Sequence, residues 1–507
     1  MTFAQDKDKF EISTPLVEGA IATHPYSFNL AASAAGPGVA WSIASGHLPP
    51  GLNLASEGKL QGTPTTPGDY RFTVRVSDSA DRKAQRQFRL IVSEAEPQYG
   101  NVGDPYATDG GGPKGHALDK CKPLGGGRYH LTADVAAVNP GEICFTLQDS
   151  GTRLDLGGHT VTGRIFSRAN PSGSSIFNGK VTCNWDGRGG LTGCVNVLAE
   201  GRISDSFRLH HLTLSNLSKE DTRAMYVEWQ SNEPYVNGSS IVLTHISSSV
   251  EDAPETARSY NLGAIGKNQS VEASYNDVHC SPTAAACQGI VCYGITQCLF
   301  YGNRVVLDHN TTEENGRALL FDGKTLQGDA WNNLLIVNNS RGVRVRDSNN
   351  VFIHDNRFKD VAGSAIHLGD PDRGTNKVSI LVEHNVFEMA GGTVFFVRNV
   401  VGPIARENRI MISKPCPECA GQLGHVRSPL KKADQTEITI LDTQGVESLA
   451  SPQVSVEAGA AVFLCASGNG GGAGNVFAPE GCPIDKRSKV LSKPAPMPTA
   501  SAPARSE

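Results

Sequence analysis

Asparagines recur through the second half of this chain at a spacing that neither a helix nor a sandwich produces. Asn276, Asn303, Asn333, Asn356, Asn385 and Asn408 lie 27, 30, 23, 29 and 23 residues apart. Each follows a short alternation of apolar residues, and an apolar residue stands two places after it. A second signature follows in Gly316–Leu320, Gly342–Val345 and Gly363–Leu368. The first clear unit is Leu154–Val161, and 175–182, 207–215 and 239–247 read as further rungs. Short strands repeating about every 20–30 residues, without helical spacing, mean a β-solenoid, in which each coil covers the apolar edge of the next. Asparagine suits a tight left-handed turn, and its amide can bond the same residue one coil away. The LxxLxL spacing of leucine-rich repeats is absent.

Composition agrees. The 55 glycines and 5 methionines suit turns and short strands, and no long stretch carries helical periodicity. A net charge of −5 gives no broad footprint for nucleic acid or an anionic membrane. No window reaches the roughly 18 apolar residues of a membrane span. No signal peptide is visible; Thr2–Gln5 reads as the remnant of a cleavage site.

The 12 cysteines fall in six near pairs: Cys121/Cys144, Cys183/Cys194, Cys280/Cys287, Cys292/Cys298, Cys416/Cys419 and Cys465/Cys482. That pattern predicts disulfides and a secreted or cell-surface location. Cys416-Pro-Glu-Cys419 has no second CxxC or His pair at zinc spacing, so no metal site is expected there.

Residues 10–95 differ. Tyr70–Val76 and Phe88–Val92 alternate with period two, and glycine and proline punctuate 48–78, the pattern of a β-sandwich. The stretch LPPGLNLASEGKLQGTPTTPGDYRFTVRVSD resembles the immunoglobulin-like, cadherin-like modules of bacterial surface and secreted proteins. The resemblance implies a spacer or accessory role. Residues 96–120 read as a linker and 121–490 as the solenoid with its caps, while 491–507 form a disordered Pro/Ala/Ser tail.

The repeats resemble the right-handed parallel β-helix family that includes pectate lyases, over about half the chain. An all-β chain is therefore expected, a small sandwich followed by a right-handed parallel β-helix. In that family the strand after the asparagine turn and its following loop lines the substrate groove. Here those strands are Met225–Trp229, Gly289–Tyr293, Leu319–Asp322, Val343–Asp347, Ile366–Asp370 and Val394–Arg398. Period-two geometry points Val343 and Val345 inward and Arg344 and Arg346 outward. The expected outward column holds Tyr226, Glu228, Tyr293, Phe321, Arg344, Arg346 and His367. Asp322, Asp347 and Asp370 end three strands; Lys324 follows the first, and Asp372 and Arg373 follow the last. Trp229 and Arg373 join Tyr226, Glu228, Tyr293 and Phe321 as candidate substrate contacts.

Two chemistries suit such a patch. In β-elimination on a uronic acid polymer, cations neutralise the carboxylate and a base removes the neighbouring proton. Lys324, Arg344 and Arg346 are candidates, with His367 as acid. Lysine gives up its proton more readily than arginine. Lys324 and Arg346 on adjacent coils resemble the Lys/Arg pair of chondroitinase-B-like and alginate lyases, which implies calcium as a cofactor. The acidic residues those enzymes carry before the lysine are replaced here by Arg317 and Leu319. In glycoside hydrolysis, two of Asp322, Asp347 and Asp370 would flank the bond. The polygalacturonase motifs are absent. A third reading is a surface protein that only binds glycan. A polysaccharide-cleaving enzyme with a polysaccharide partner is expected, a lyase ahead of a hydrolase.

Overall fold

The computed structural model describes residues 10–100 except 15, and 115–412 except 168–171, 185–192, 201–204, 218–222, 231–240, 251–258, 268, 282–286, 309–315, 324, 370–375 and 399. Beyond 412 it describes the strands within 422–427, 436–441, 451–456, 460–467 and 488–489. Among the described residues there is no helix, so none is long and apolar enough to cross a membrane.

The asparagine-spaced part is the right-handed parallel β-helix expected from the sequence. Its strands form two long sheets, a front sheet of 13 strands and a back sheet of 23. One coil shows the plan. Arg317–Asp322 lies in the front sheet, Gln327–Trp331 and Leu334–Val337 in the back sheet, and Arg341–Val345 returns to the front one coil on. Each strand pairs in parallel with its equivalent in the next coil. Side chains from both sheets meet in one apolar core. Within it Phe300 stacks against Phe321, and Phe358 against Phe387, each at 4.8 Å between ring centres.

The asparagines sit at the corner inside the back sheet. Asn303 donates from Nδ2 to the Ala273 carbonyl and to Asn333 Oδ1, both at 2.9 Å, and its own Oδ1 accepts from Asn276. The same pattern runs on through Asn356, Asn385 and Asn408. The amide ladder is as expected, but the left-handed conformation is not on the asparagine. It falls on the residue before: Tyr275, Asn332, Asp355, His384 and Glu407 all have φ between 52° and 55°. The chain bends one residue early, which leaves each asparagine pointing inward to satisfy buried backbone groups.

Among the described residues four disulfides staple the coils: Cys121–Cys144, Cys183–Cys194, Cys280–Cys287 and Cys292–Cys298. Cys416, Cys419 and Cys482 lie outside the described residues, as does the side chain of Cys465.

The N-terminal sandwich packs the four-stranded sheet containing Gly68–Ser77 and Lys83–Ser93 on a three-stranded one around Leu60, Phe72, Val74, Phe88 and Leu90. Gly51 of the LPPGL run has φ +92°, and a Cβ there would lie 2.0 Å from the Thr63 carbonyl, so only glycine fits.

This sandwich docks on the outer face of the back sheet. Trp331 is buried there beside Ile21, Ile91, Leu299 and Tyr301. Gly19 lies on its indole, and a Cβ at Gly19 would come within 2.2 Å of the ring. Polar contacts surround this plug. Gly19 N donates to Asp329 Oδ2 at 2.8 Å, Arg89 pairs with Glu272 at 2.7 Å, and Asn332 Nδ2 donates to the Glu94 carbonyl at 2.7 Å. Among the described residues, the sandwich's contacts with the solenoid fall on the back sheet.

A titratable cluster lies at this junction. His354 is 3.0 Å from Asp329 and 2.8 Å from Asp355. Burial disfavours its charged form, but Asp329 and Asp355 outweigh burial and hold its pKa well above the usual imidazole range. Glu18 of the sandwich is pushed up to about 8 by burial, with Glu383 and Asp329 adding to the effect and His354 and Arg406 opposing it. His24 and the His384–Glu407 pair also face this cluster. Glu18, buried at the junction, binds its proton more tightly when docked, whereas Asp329 and Asp355, which raise His354, both belong to the solenoid. The Glu18 contribution is therefore complete below its ordinary value of 4.5 and is lost as pH rises to about 8. Docking is expected to weaken from pH 5 to pH 9, seen as faster hydrogen exchange at the junction and a lower melting temperature. Glu18→Gln should flatten that slope; an unchanged slope in the variant would contradict the assignment.

Candidate active site

Register places the groove residues. In the front sheet Leu319, Val343, Ile366 and Phe395 align, as do Phe321, Val345, Leu368 and Val397. These two rows face the core. Phe321 is fully buried among them, its ring against Phe300, so it is a core residue and not the expected substrate contact. Between the core rows runs an outer row: Val291, Leu320, Arg344, His367 and Phe396. The next outer row passes from Tyr293 to Asp322 and then, by continuing the register, to Arg346, Gly369 and Arg398.

Two further arginines join from the other side. Arg317 and Arg341 pair across adjacent strands. Strict alternation from Val343 would send Arg341 inward. Gly342 also points inward, where a Cβ would meet the Phe358 ring at 2.8 Å, and Ala318 and Ala365 are buried at the equivalent places. Two successive inward positions reverse the phase and bring Arg341 and Arg317 to the outer face.

Arg317, Arg341, Arg344 and Arg398 therefore gather around His367, and Arg346 stands near Arg317. The Arg317 guanidinium is pushed well below the usual arginine range, first by burial and then by Arg344, Arg341 and Arg346, while Asp322 pulls the other way. Arg344 and His367 form the nearly closed floor; Arg317, Arg341, Arg346 and Arg398 are partly exposed around it. Arg346 is held by Asp322: Nε donates to Oδ1 at 2.8 Å and Nη2 pairs with Oδ2 at 2.5 Å. Gly323 N also donates to Asp322 Oδ1 at 2.6 Å. This two-pronged pair fixes the direction of the guanidinium.

The expected acid role of His367 does not suit its surroundings. Burial, then Arg341, Arg344, Arg317 and Arg398, hold its pKa well below the usual imidazole range. The ring is neutral, stacked on Phe396 at 4.5 Å, and its Nδ1 has no hydrogen-bond partner among the described residues. The strand-end aspartates do not share one place either. Asp322 aligns with Arg346, while Asp347 stands one residue further, on a turn with φ +52°.

Lys324, Asp370, Asp372 and Arg373 lie outside the described residues. Tyr226 falls in the row of Arg344 and Glu228 in the row of Tyr293, while Trp229 is one step out of both; their side chains lie outside the description. Tyr293 is 38% exposed. Sequence reasoning missed Arg398, which a two-step count from Phe396 reaches, and Arg341, which the doubled inward position hid. Among the described residues no group of three or more His, Cys, Asp or Glu is placed to hold a metal ion.

Comparison with known proteins identifies the N-terminal part. Residues 11–93 match the family described as "Putative Ig domain". The sandwich is thus an Ig-like module. No curated protein matches the chain. Among solved structures, it is similar to the Thermotoga maritima exopolygalacturonase at 11% identity over 69% of this chain and 73% of that one, with a TM-score of 0.19. The Yersinia enterocolitica family 28 exopolygalacturonase gives 9% identity over 90% of this chain and 98% of that one, with a TM-score of 0.20. A Bacteroides fragilis protein titled as a putative alpha-galactosidase/melibiase gives 24% identity and a TM-score of 0.15, and the chain spans 19% of its length. At such scores the chemistry rests on this chain's own residues.

Proposed function

We propose that this chain acts outside the reducing cytoplasm, binds an acidic polysaccharide along the front sheet and cleaves it by β-elimination. The observation that supports this most is the gathering of five arginines on neighbouring front-sheet coils, four of them acting on a neutral histidine. Guanidiniums in a partly buried floor favour a carboxylate strongly, because charge pairs are less screened there than in water. Arg341, Arg344 and Arg346 would neutralise the uronate carboxylate, which acidifies the proton on the carbon that bears it. Lys324, two residues beyond Asp322, is assigned as the base. As it takes that proton a double bond forms, the neighbouring carbon–oxygen bond breaks, and the departing oxygen takes a proton from solvent, since His367 is neutral.

The Ig-like module would serve as a rigid accessory docked on the back sheet. The hydrolase reading loses Asp322 as a free carboxylate, because Arg346 and Gly323 already occupy its oxygens. Affinity electrophoresis in gels holding acidic or neutral polysaccharides tests the binding half. Retardation by the acidic polymers, falling with salt, is expected; equal migration in every gel would contradict the proposal. Binding without any chain cleavage would make the protein a glycan-binding one.

A further inference from the structure

The back sheet carries a second concave surface, across the asparagine corner from the docked Ig-like module. Strands Phe207–Asn216, Ile241–Val250, Asp277–Cys280 and Arg304–Leu307 pair in parallel there. Register sets Thr213, Ser247, Asp277 and Arg304 in one outward row and Ser249, His279 and Val306 in the next. These residues line a cavity of about 350 Å³, within the span of about 300–1,000 Å³ usual for ligand sites. We propose that this groove is a second binding site, one that holds an uncharged stretch of polysaccharide apart from the arginine floor of the front sheet. It stands independently of the acidic-glycan reading.

Charge decides the class of ligand. Asp277 and Arg304, the carboxylate and the guanidinium of the lining, pair with each other at 2.8 Å. Their charges cancel, so neither a polyanion nor a polycation gains there, whereas sugar hydroxyls meet donors and acceptors in close array. The Ser249 hydroxyl and the His279 imidazole stand in register on adjacent strands, and among the described residues neither has a hydrogen-bond partner. Val306 ends the row with an apolar surface on which the C–H face of a sugar can rest. Four coils about 4.8 Å apart span about 14 Å, the length of about three sugars. One edge of the groove is built by the chain leaving the Ig-like module. Gly100 N donates to the Tyr275 carbonyl at 2.7 Å, and a Cβ at Gly100 would come within 2.5 Å of Ser247 Oγ. Tyr99 stands half-buried beside the Asp277–Arg304 pair, whose charges both act on its hydroxyl. A ring with a polar tip suits the mixed surface of a sugar. Docking of the module therefore sets this edge before a ligand arrives, which lowers the cost of ordering it on binding.

The test is affinity electrophoresis of the full chain in gels holding soluble neutral polysaccharides: galactan, arabinoxylan, galactomannan and mixed-linkage β-glucan. Retardation by at least one of them is expected, and it should persist as salt is raised, since no net charge is involved. Ser249→Trp, which fills the groove, and His279→Ala, which removes an exposed ring, should each weaken that binding about tenfold or more, with the melting temperature unchanged. No retardation in any of these gels would overturn the inference, as would retardation that both variants leave intact. Either result leaves the acidic-glycan reading standing, because that reading is scored on acidic gels and on a loss of binding with salt.

Discussion

Arg346→Ala should lower kcat/KM on the cleaved polysaccharide by about a hundredfold or more, the scale of losing a preorganised charge aimed at the reacting group. Folding should be intact, since the side chain is 31% exposed and Asp322 keeps its bond from Gly323 N. Arg346→Lys should recover only part of the activity. An ammonium carries the charge but cannot reproduce the two-pronged grip on Asp322. Lys324→Ala should be as damaging if that residue is the base. The variants are compared by initial rate and by melting temperature. Full activity in both alanine variants, with unchanged melting, would remove this site from the mechanism.

Asn333→Ala should cost about 3–5 kcal/mol, the largest effect expected of a single substitution in the solenoid. The side chain donates at 2.9 Å to the Phe300 carbonyl and to Asn356 Oδ1, and accepts from the backbone and amide nitrogens of Asn303. Alanine removes the partner of the Phe300 carbonyl and of the Asn303 backbone N–H, leaves Asn356 Oδ1 only its bond from the backbone N–H of residue 333, and breaks the side-chain ladder in mid-run. Asn333→Asp is a sharper probe: it keeps the acceptor and loses both donated bonds. Chemical denaturation measures the loss. A cost below about 1 kcal/mol for Asn333→Ala would mean the ladder is ornamental.

Much of this was legible in the sequence because the solenoid is built by local repetition. The spacing from Asn276 to Asn408 encodes coil length directly, and alternation through Val343, Arg344 and Val345 gives the faces. What stayed hidden depends on irregularity or on long-range docking. Phe321 was taken for an outward residue because its strand was aligned one step out of phase. Arg341 was missed because Gly342 breaks the alternation. The three aspartates looked equivalent as strand ends, yet register sets Asp322 beside Arg346 and Asp347 one residue beyond. No local pattern announces that Trp331 plugs into a module some 240 residues earlier in the chain, against Asn332, which bonds Ser93 at a separation of 239 residues. The neutrality of His367 is likewise a property of burial and of Arg341, Arg344, Arg317 and Arg398 brought together by stacking.

The central claim is that this cationic groove cleaves an acidic glycan by elimination. The direct measurement is to digest a panel of acidic and neutral polysaccharides with the full chain and follow ultraviolet absorbance alongside new reducing ends. Elimination leaves a conjugated unsaturated uronate at each cut. The expected result is absorbance rising in step with reducing ends on at least one acidic polymer, and neither signal with Arg346→Ala. Reducing ends appearing without absorbance would contradict elimination and turn attention to Asp347 and Asp370 as a hydrolytic pair.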